Sequence, residues 1–167
     1  MDKAVFIFQQ NNKFAFGFWV ADAGNPIKGG YLHEAFNFLS NEAFQKKGML
    51  ETLKRITTLI EIRDTTIDPQ NPFAGQLSPD GEQLPLRDLF WFKKLSENKL
   101  LKNGIFSTTQ YTFNFLKTKF KFRIDYNNHF MEWDIPYKEV DYQETLNDIV
   151  EWAYLLDKEL ADCDCIN

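Results

Sequence analysis

The stretch from Lys119 to Pro136 constrains the fold more tightly than any other. Phe120, Phe122 and Ile124 alternate with Lys119, Lys121, Arg123 and Asp125. After Asn127-Asn128, Met131, Trp133 and Ile135 alternate with Phe130, Glu132 and Asp134. Period-two alternation of this kind marks two half-buried strands. Asparagine tolerates positive φ, so Asn127-Asn128 predicts a two-residue type I′ turn. The register then follows. Ile124 faces Met131, Phe122 faces Trp133 and Phe120 faces Ile135, while on the other face Arg123 meets Glu132 and Lys121 meets Asp134. A slip of one residue would break both sets at once.

The other segments arrange themselves around this hairpin. Ala4 to Ala21 predicts a first hairpin turning at Asn11-Asn12. An unbroken register there sets Ile7 against Phe16 and Val5 against Phe18, with Phe8 meeting Ala15 and Phe6 meeting Gly17. Apolar residues on both faces imply interior strands. Asp22 to Gly30 reads as a loop. Leu32, Ala35, Phe36, Leu39 and Ala43 keep helical spacing over Tyr31–Lys47, and Gly48 is placed to end that helix. Residues 49–62 read as a helix, though Thr57-Thr58, Ile60 and Ile62 also permit a strand near its end, and 86–102 reads as a further helix. Ile105 to Leu116 reads as a strand preceding the central hairpin. Asp141 to Ala161 is the clearest helix, with Asp141 as its N-cap and Leu146, Ile149, Val150, Ala153, Leu156 and Leu160 as its buried stripe.

These elements predict an α+β fold in one domain spanning residues 1–167. Its antiparallel sheet has about five strands, two hairpins plus the strand before the second, with helices packed mainly on one face. The long break at 63–85, with Pro69, Pro72, Pro79 and Pro85, reads as a loop inside that domain, either partner-binding or a simple surface insertion.

Few chemistries have the residues they need. Gly29-Gly30 follows Lys28 and precedes Tyr31, the wrong order for a phosphate-binding loop. His33-Glu34 begins like a zinc-protease helix, but Asn37 stands where the second histidine belongs. Cys163 and Cys165 are too close for an ordinary structural disulfide and too few for a zinc site. No nucleophile elbow, EF-hand loop or dinucleotide glycine pattern is present. No catalytic residue, metal ligand or cofactor is therefore expected, and an enzyme is the less favoured reading. Lys117, Lys119, Lys121 and Arg123 beside Phe120 and Phe122 mimic a nucleic-acid surface. Two of these bases have partners in the hairpin register, so a solvated sheet face is the expected reading. No stretch reaches membrane-spanning length, and the N-terminus lacks a signal peptide's basic and apolar regions, so a cytoplasmic protein is expected.

Charge is the remaining signal. From Glu132 onward the chain carries eleven acids against two bases, a local net charge of −9 within a total of −5. On the last helix Glu144, Asp148, Glu151, Leu155, Glu159 and Asp162 fall on one stripe opposite the buried one, flanked by Trp152. Like charges at three-four spacing, and acids at a helix C-terminus, are disfavoured by helix energetics. The stripe is thus a candidate surface for a basic protein partner, with these seven residues as the contact set. In size, acidity and absence of catalytic motifs the chain resembles the bacterial immunity proteins, which block a cognate toxin. The resemblance rests on no shared motif and assigns no residue. It implies a toxin domain as the basic partner. A DNA-mimic inhibitor of anti-restriction or anti-CRISPR type is the alternative, and a hydrolase or nucleic-acid-processing enzyme is the second.

Overall fold

The computed structural model describes residues 3–21, 24–27, 31–40, 48, 92–94 and 109–164. The expected helix at 49–62 and the loop at 63–85 lie outside the described residues. Six strands form one sheet: β1 (Lys3–Gln10), β2 (Lys13–Ala21), β3 (Phe92–Lys94), β4 (Thr109–Phe115), β5 (Lys119–Tyr126) and β6 (His129–Pro136). Their order is β3-β2-β1-β4-β5-β6. Two helices are described, α1 (Tyr31–Leu39) and α2 (Tyr142–Asp164). The architecture is α+β.

The central hairpin forms in the predicted register, from Tyr126↔His129 at the turn to Lys119↔Pro136 at the far end. Asn127 and Asn128 take φ of 51° and 65°, the left-handed values that a type I′ turn demands. β4 pairs antiparallel with β5, so β4, β5 and β6 form a meander.

Three expectations are corrected. The sheet is not wholly antiparallel, because β1 and β4 run parallel, with Phe6 beside Tyr111 and Phe8 beside Phe113. Parallel neighbours need a crossover, and here the chain between β2 and β4 supplies it. Phe92–Lys94, expected within a helix at 86–102, is a strand against Phe18–Val20. The run Leu89-Phe90-Trp91-Phe92 lacks three-four spacing, and its aromatic residues favour a strand.

The third correction is the register of the first hairpin. Its turn is the predicted Asn11-Asn12, with φ of 50° and 69°. Gln10↔Lys13 and Gln9↔Phe14 follow the expected ladder, but the register then shifts at Phe8/Gln9, and Phe8 faces Phe16 while Phe6 faces Phe18. Ala15 is the extra residue, a β-bulge. The bulge returns Phe16 and Phe18 to the face of Phe6 and Phe8, and leaves Phe14 with Val5 and Ile7 in a small second cluster.

The main core lies on the Phe face. Phe6, Phe8, Phe18, Tyr111, Phe113, Phe120 and Phe122 are fully buried there, with Leu32, Ala35, Phe36 and Leu39 of α1 and Leu146, Ile149, Ala153 and Leu156 of α2 in the same cluster. Phe36 meets Phe122 edge-on at 5.6 Å. Each such ring contributes roughly 1.5–3 kcal/mol by leaving water. Asn12 and Asn114 exchange two hydrogen bonds, of 3.0 and 2.7 Å, and pin the first turn to the end of β4. The Thr109 hydroxyl donates to the Gly24 carbonyl and ties the 24–27 loop to the start of β4.

Candidate interaction surface

α2 begins where the sequence places its cap. Asp141 Oδ1 accepts from the amides of Gln143 at 3.0 Å and Glu144 at 3.2 Å, which satisfies two otherwise unpaired donors. The helix runs to Asp164, three residues past the expected end. Tyr142 stacks with Phe120 at 6.3 Å at one end of β5. At the other end Tyr126 donates its hydroxyl to Asp157 at 3.0 Å, and the Asn127 side-chain amide donates to the same carboxylate at 3.3 Å. The two spans match: Tyr142 to Asp157 rises about 22 Å along a helix, and Phe120 to Tyr126 covers about 20 Å along a strand. α2 therefore lies along β5, its direction fixed at both ends.

This placement presents the acidic stripe to solvent. Glu144, Asp148, Glu151, Leu155, Glu159 and Asp162 are all exposed, and no base occupies the last turn. Leu155 is 53% exposed, and Tyr154, on the neighbouring face, 57%. Trp152 behaves differently from the other candidates. It is half-buried, its ring edge-on to Trp133 of β6 at 6.1 Å. Trp152 thus fixes which way the stripe faces. Asp148 and Leu155 lie one turn to either side of it, on the flank of α2 that overlooks β6.

The β6 flank was not legible as a site in the sequence. Met131 shares the core-facing positions of Trp133 and Ile135 yet is 40% exposed, and Phe130 is 60% exposed. Both result from the place of β6 at the end of the sheet order, which strand periodicity alone cannot reveal.

The opposite sheet face holds a polar groove of about 670 Å³, lined by Gln110, Thr112, Lys121, Arg123, Asp125 and Glu132 among others. Arg123 is committed within it. Its guanidinium bonds Asp125 at 2.9 and 3.1 Å, lies 3.5 Å from Glu132, and covers the Phe130 ring at 4.2 Å. The Asp125 hydrogen bonds hold its pKa above the usual arginine value. Lys121 faces Asp134 in the register, but the Asp134 carboxylate pairs diagonally with Lys119 at 3.1 Å. Phe120 and Phe122 are wholly buried. The basic strand therefore offers no ring of theirs on which a base could stack.

Both histidines make local bonds. His33 Nε2 lies 2.8 Å from the Pro26 carbonyl, and His129 Nδ1 lies 2.9 Å from that of Asn127. Among the described residues no three His, Cys, Asp or Glu side chains converge as metal ligands, and no helix is long and apolar enough to cross a membrane. No family model, curated protein or solved structure matches the chain.

Proposed function

We propose that this chain is a cytoplasmic binding protein whose acidic α2 face captures and neutralises a basic protein, in the manner of the bacterial immunity proteins it resembles. The observation that supports this reading is the exposed row Glu144, Asp148, Glu151, Glu159 and Asp162 around an exposed Leu155. Interfaces commonly place an apolar anchor inside a polar rim, and the rim charges speed encounter with a partner of opposite sign. The apolar centre favours a protein over the DNA-mimic alternative, since a mimic needs carboxylates in place of Leu155. A toxin domain of basic character is the partner class.

The test is capture from the native host by the intact chain and by a Glu144→Lys, Glu151→Lys, Glu159→Lys variant, with bound proteins identified by mass spectrometry. The expected result is a basic protein retained by the first and lost by the second. Equal capture by both would remove the stripe, and with it this reading.

A further inference from the structure

β6 is the outermost strand on its side of the sheet among the described residues. Natural edge strands are usually blunted by charged side chains, lysine above all, by proline, by a bulge or by short length, and of these β6 carries the acids Glu132 and Asp134 and a proline at its end. β6 has eight residues, no lysine and no register shift against β5. Its outward backbone groups follow from the hairpin. In a two-residue turn Tyr126 and His129 form the first hydrogen-bonded pair, and bonded pairs alternate along the ladder. The N–H and C=O of Phe130, Glu132 and Asp134 therefore point away from β5. Pro136 takes the next outward position, where no N–H is available, and ends the usable edge.

Carboxylates flank this edge on both sides. Glu132, shared with Arg123, and Asp134, shared with Lys119, stand on the groove face. Asp148, Leu155 and Glu159 of α2 fall by helical spacing on the flank of Trp152, which meets Trp133 on the other face of β6, where Met131 is exposed. A second copy of the chain is a poor occupant, because an antiparallel β6–β6 pair would bring both sets of acids together. We infer that the outer edge of β6 binds its partner by strand addition, taking an extended segment that alternates Lys or Arg with apolar residues. The bases meet Glu132 and Asp134, and the apolar side chains lie over Met131 and Leu155. This rests on the binding reading above and names the part of the basic partner that docks.

The probe is the peptide Lys-Val-Lys-Val-Lys-Val-Lys, with a control of the same sequence N-methylated on alternate amides. Amide exchange of the whole chain is followed by NMR. The expected result is about tenfold or greater slowing at Phe130, Glu132 and Asp134 with the probe and none with the control. Glu132→Pro should abolish the protection while circular dichroism shows the fold retained. If both peptides bind and neither protects β6, the segment docks through α2 charge alone; the inference falls and the binding function stands. Absence of binding by the unmethylated probe also overturns the inference. So does concentration-dependent protection without peptide, which would make a second copy the occupant. The function itself fails separately, when charge reversal on α2 leaves host-protein capture unchanged.

Discussion

Phe8 and Phe16 stack with ring centroids 4.4 Å apart and planes within 6°, and they meet only because Ala15 bulges out of β2. The bulge also sets Phe18 against Phe6 at 5.2 Å. Deleting Ala15 should close the ladder without moving a side chain to the wrong face. Gln9↔Phe14 and Phe8↔Phe16 would become adjacent pairs in a regular register. The expected outcome is a folded protein with Tm within about 5 °C of the parent. Deleting Gly17 instead inverts Phe16 relative to Phe18, and should unfold the domain. Thermal melts by near-ultraviolet circular dichroism distinguish the two, and equal damage would show that the bulge's twist, and not its facing, is what matters.

A second prediction concerns the tie between α2 and the central turn. Tyr126 is buried and gives its hydroxyl to Asp157 at 3.0 Å. Hydrogen bonds to charged groups contribute about 1.5–3 kcal/mol. Tyr126→Phe should therefore lower the unfolding free energy by about that amount in urea, with an unchanged m-value. A loss below about 0.5 kcal/mol would mean that water replaces the hydroxyl at no cost.

Arg123 allows a comparison inside one protein. It makes a two-pronged contact with Asp125 and a single longer one with Glu132. Both sites are substantially exposed, so each coupling should stay under about 1 kcal/mol. Double-mutant cycles with neutral replacements should nevertheless give the larger coupling to Asp125. Exchanging the charges of Arg123 and Glu132 should restore stability only in part, because the new Glu would sit beside Asp125. Full restoration would show that the Asp125 contact carries no energy.

The legible parts of the fold were those set by local rules. Asn127-Asn128 fixed φ, the alternation fixed the faces, and the β5–β6 register followed residue by residue. The cap at Asp141 was legible for the same reason, since one side chain and two amides decide it. The β2 bulge was not, because Ala15 carries no bulge signal. Its register is decided by Phe6 and Phe8 seeking Phe16 and Phe18 across the strand pair. Nor was the parallel β1–β4 pairing, which joins residues about a hundred positions apart. The acidic stripe could be placed on α2 from spacing, but its facing could not. That depends on Trp152 meeting Trp133, a contact between two elements.

Tyr142 gives the pH prediction. Burial pushes its pKa up to about 12, against about 10 for an unfolded tyrosine. Between those values the unfolded chain loses a proton that the folded chain keeps, so stability falls as pH rises. Below pH 10 both states are protonated and the stabilisation is fully present. Burial raises Tyr111 and Tyr137 in the same sense, so the whole protein should weaken from about pH 10 upward. Tyr142→Phe should flatten that slope between pH 10 and 12. An unchanged slope in urea titrations across this range would assign the alkaline loss to the other tyrosines.

The last prediction separates stability from binding on α2. Glu159 and Asp162 sit near the C-terminal end of a helix whose last turn holds no base, where the negative end of the dipole disfavours acids. Both are exposed. Replacing the two with Lys should therefore stabilise the free protein by a few tenths of a kcal/mol, mainly at Glu159, because Lys158 stands four residues before Asp162 and its like charge offsets the gain there. The same change should slow association with the basic partner, by about three- to tenfold at low salt, and flatten the salt dependence of the on-rate. Leu155→Ala should do neither; it should speed dissociation, as loss of an apolar anchor does. None of these changes touches Leu146, Ile149, Ala153 or Leu156, so the buried side of α2 is unaltered in each variant. Melting curves and stopped-flow association at two salt concentrations are sufficient. A double variant that gains stability with an unchanged on-rate would mark the stripe as a solvated face. One that loses stability would show that these acids have partners within the fold.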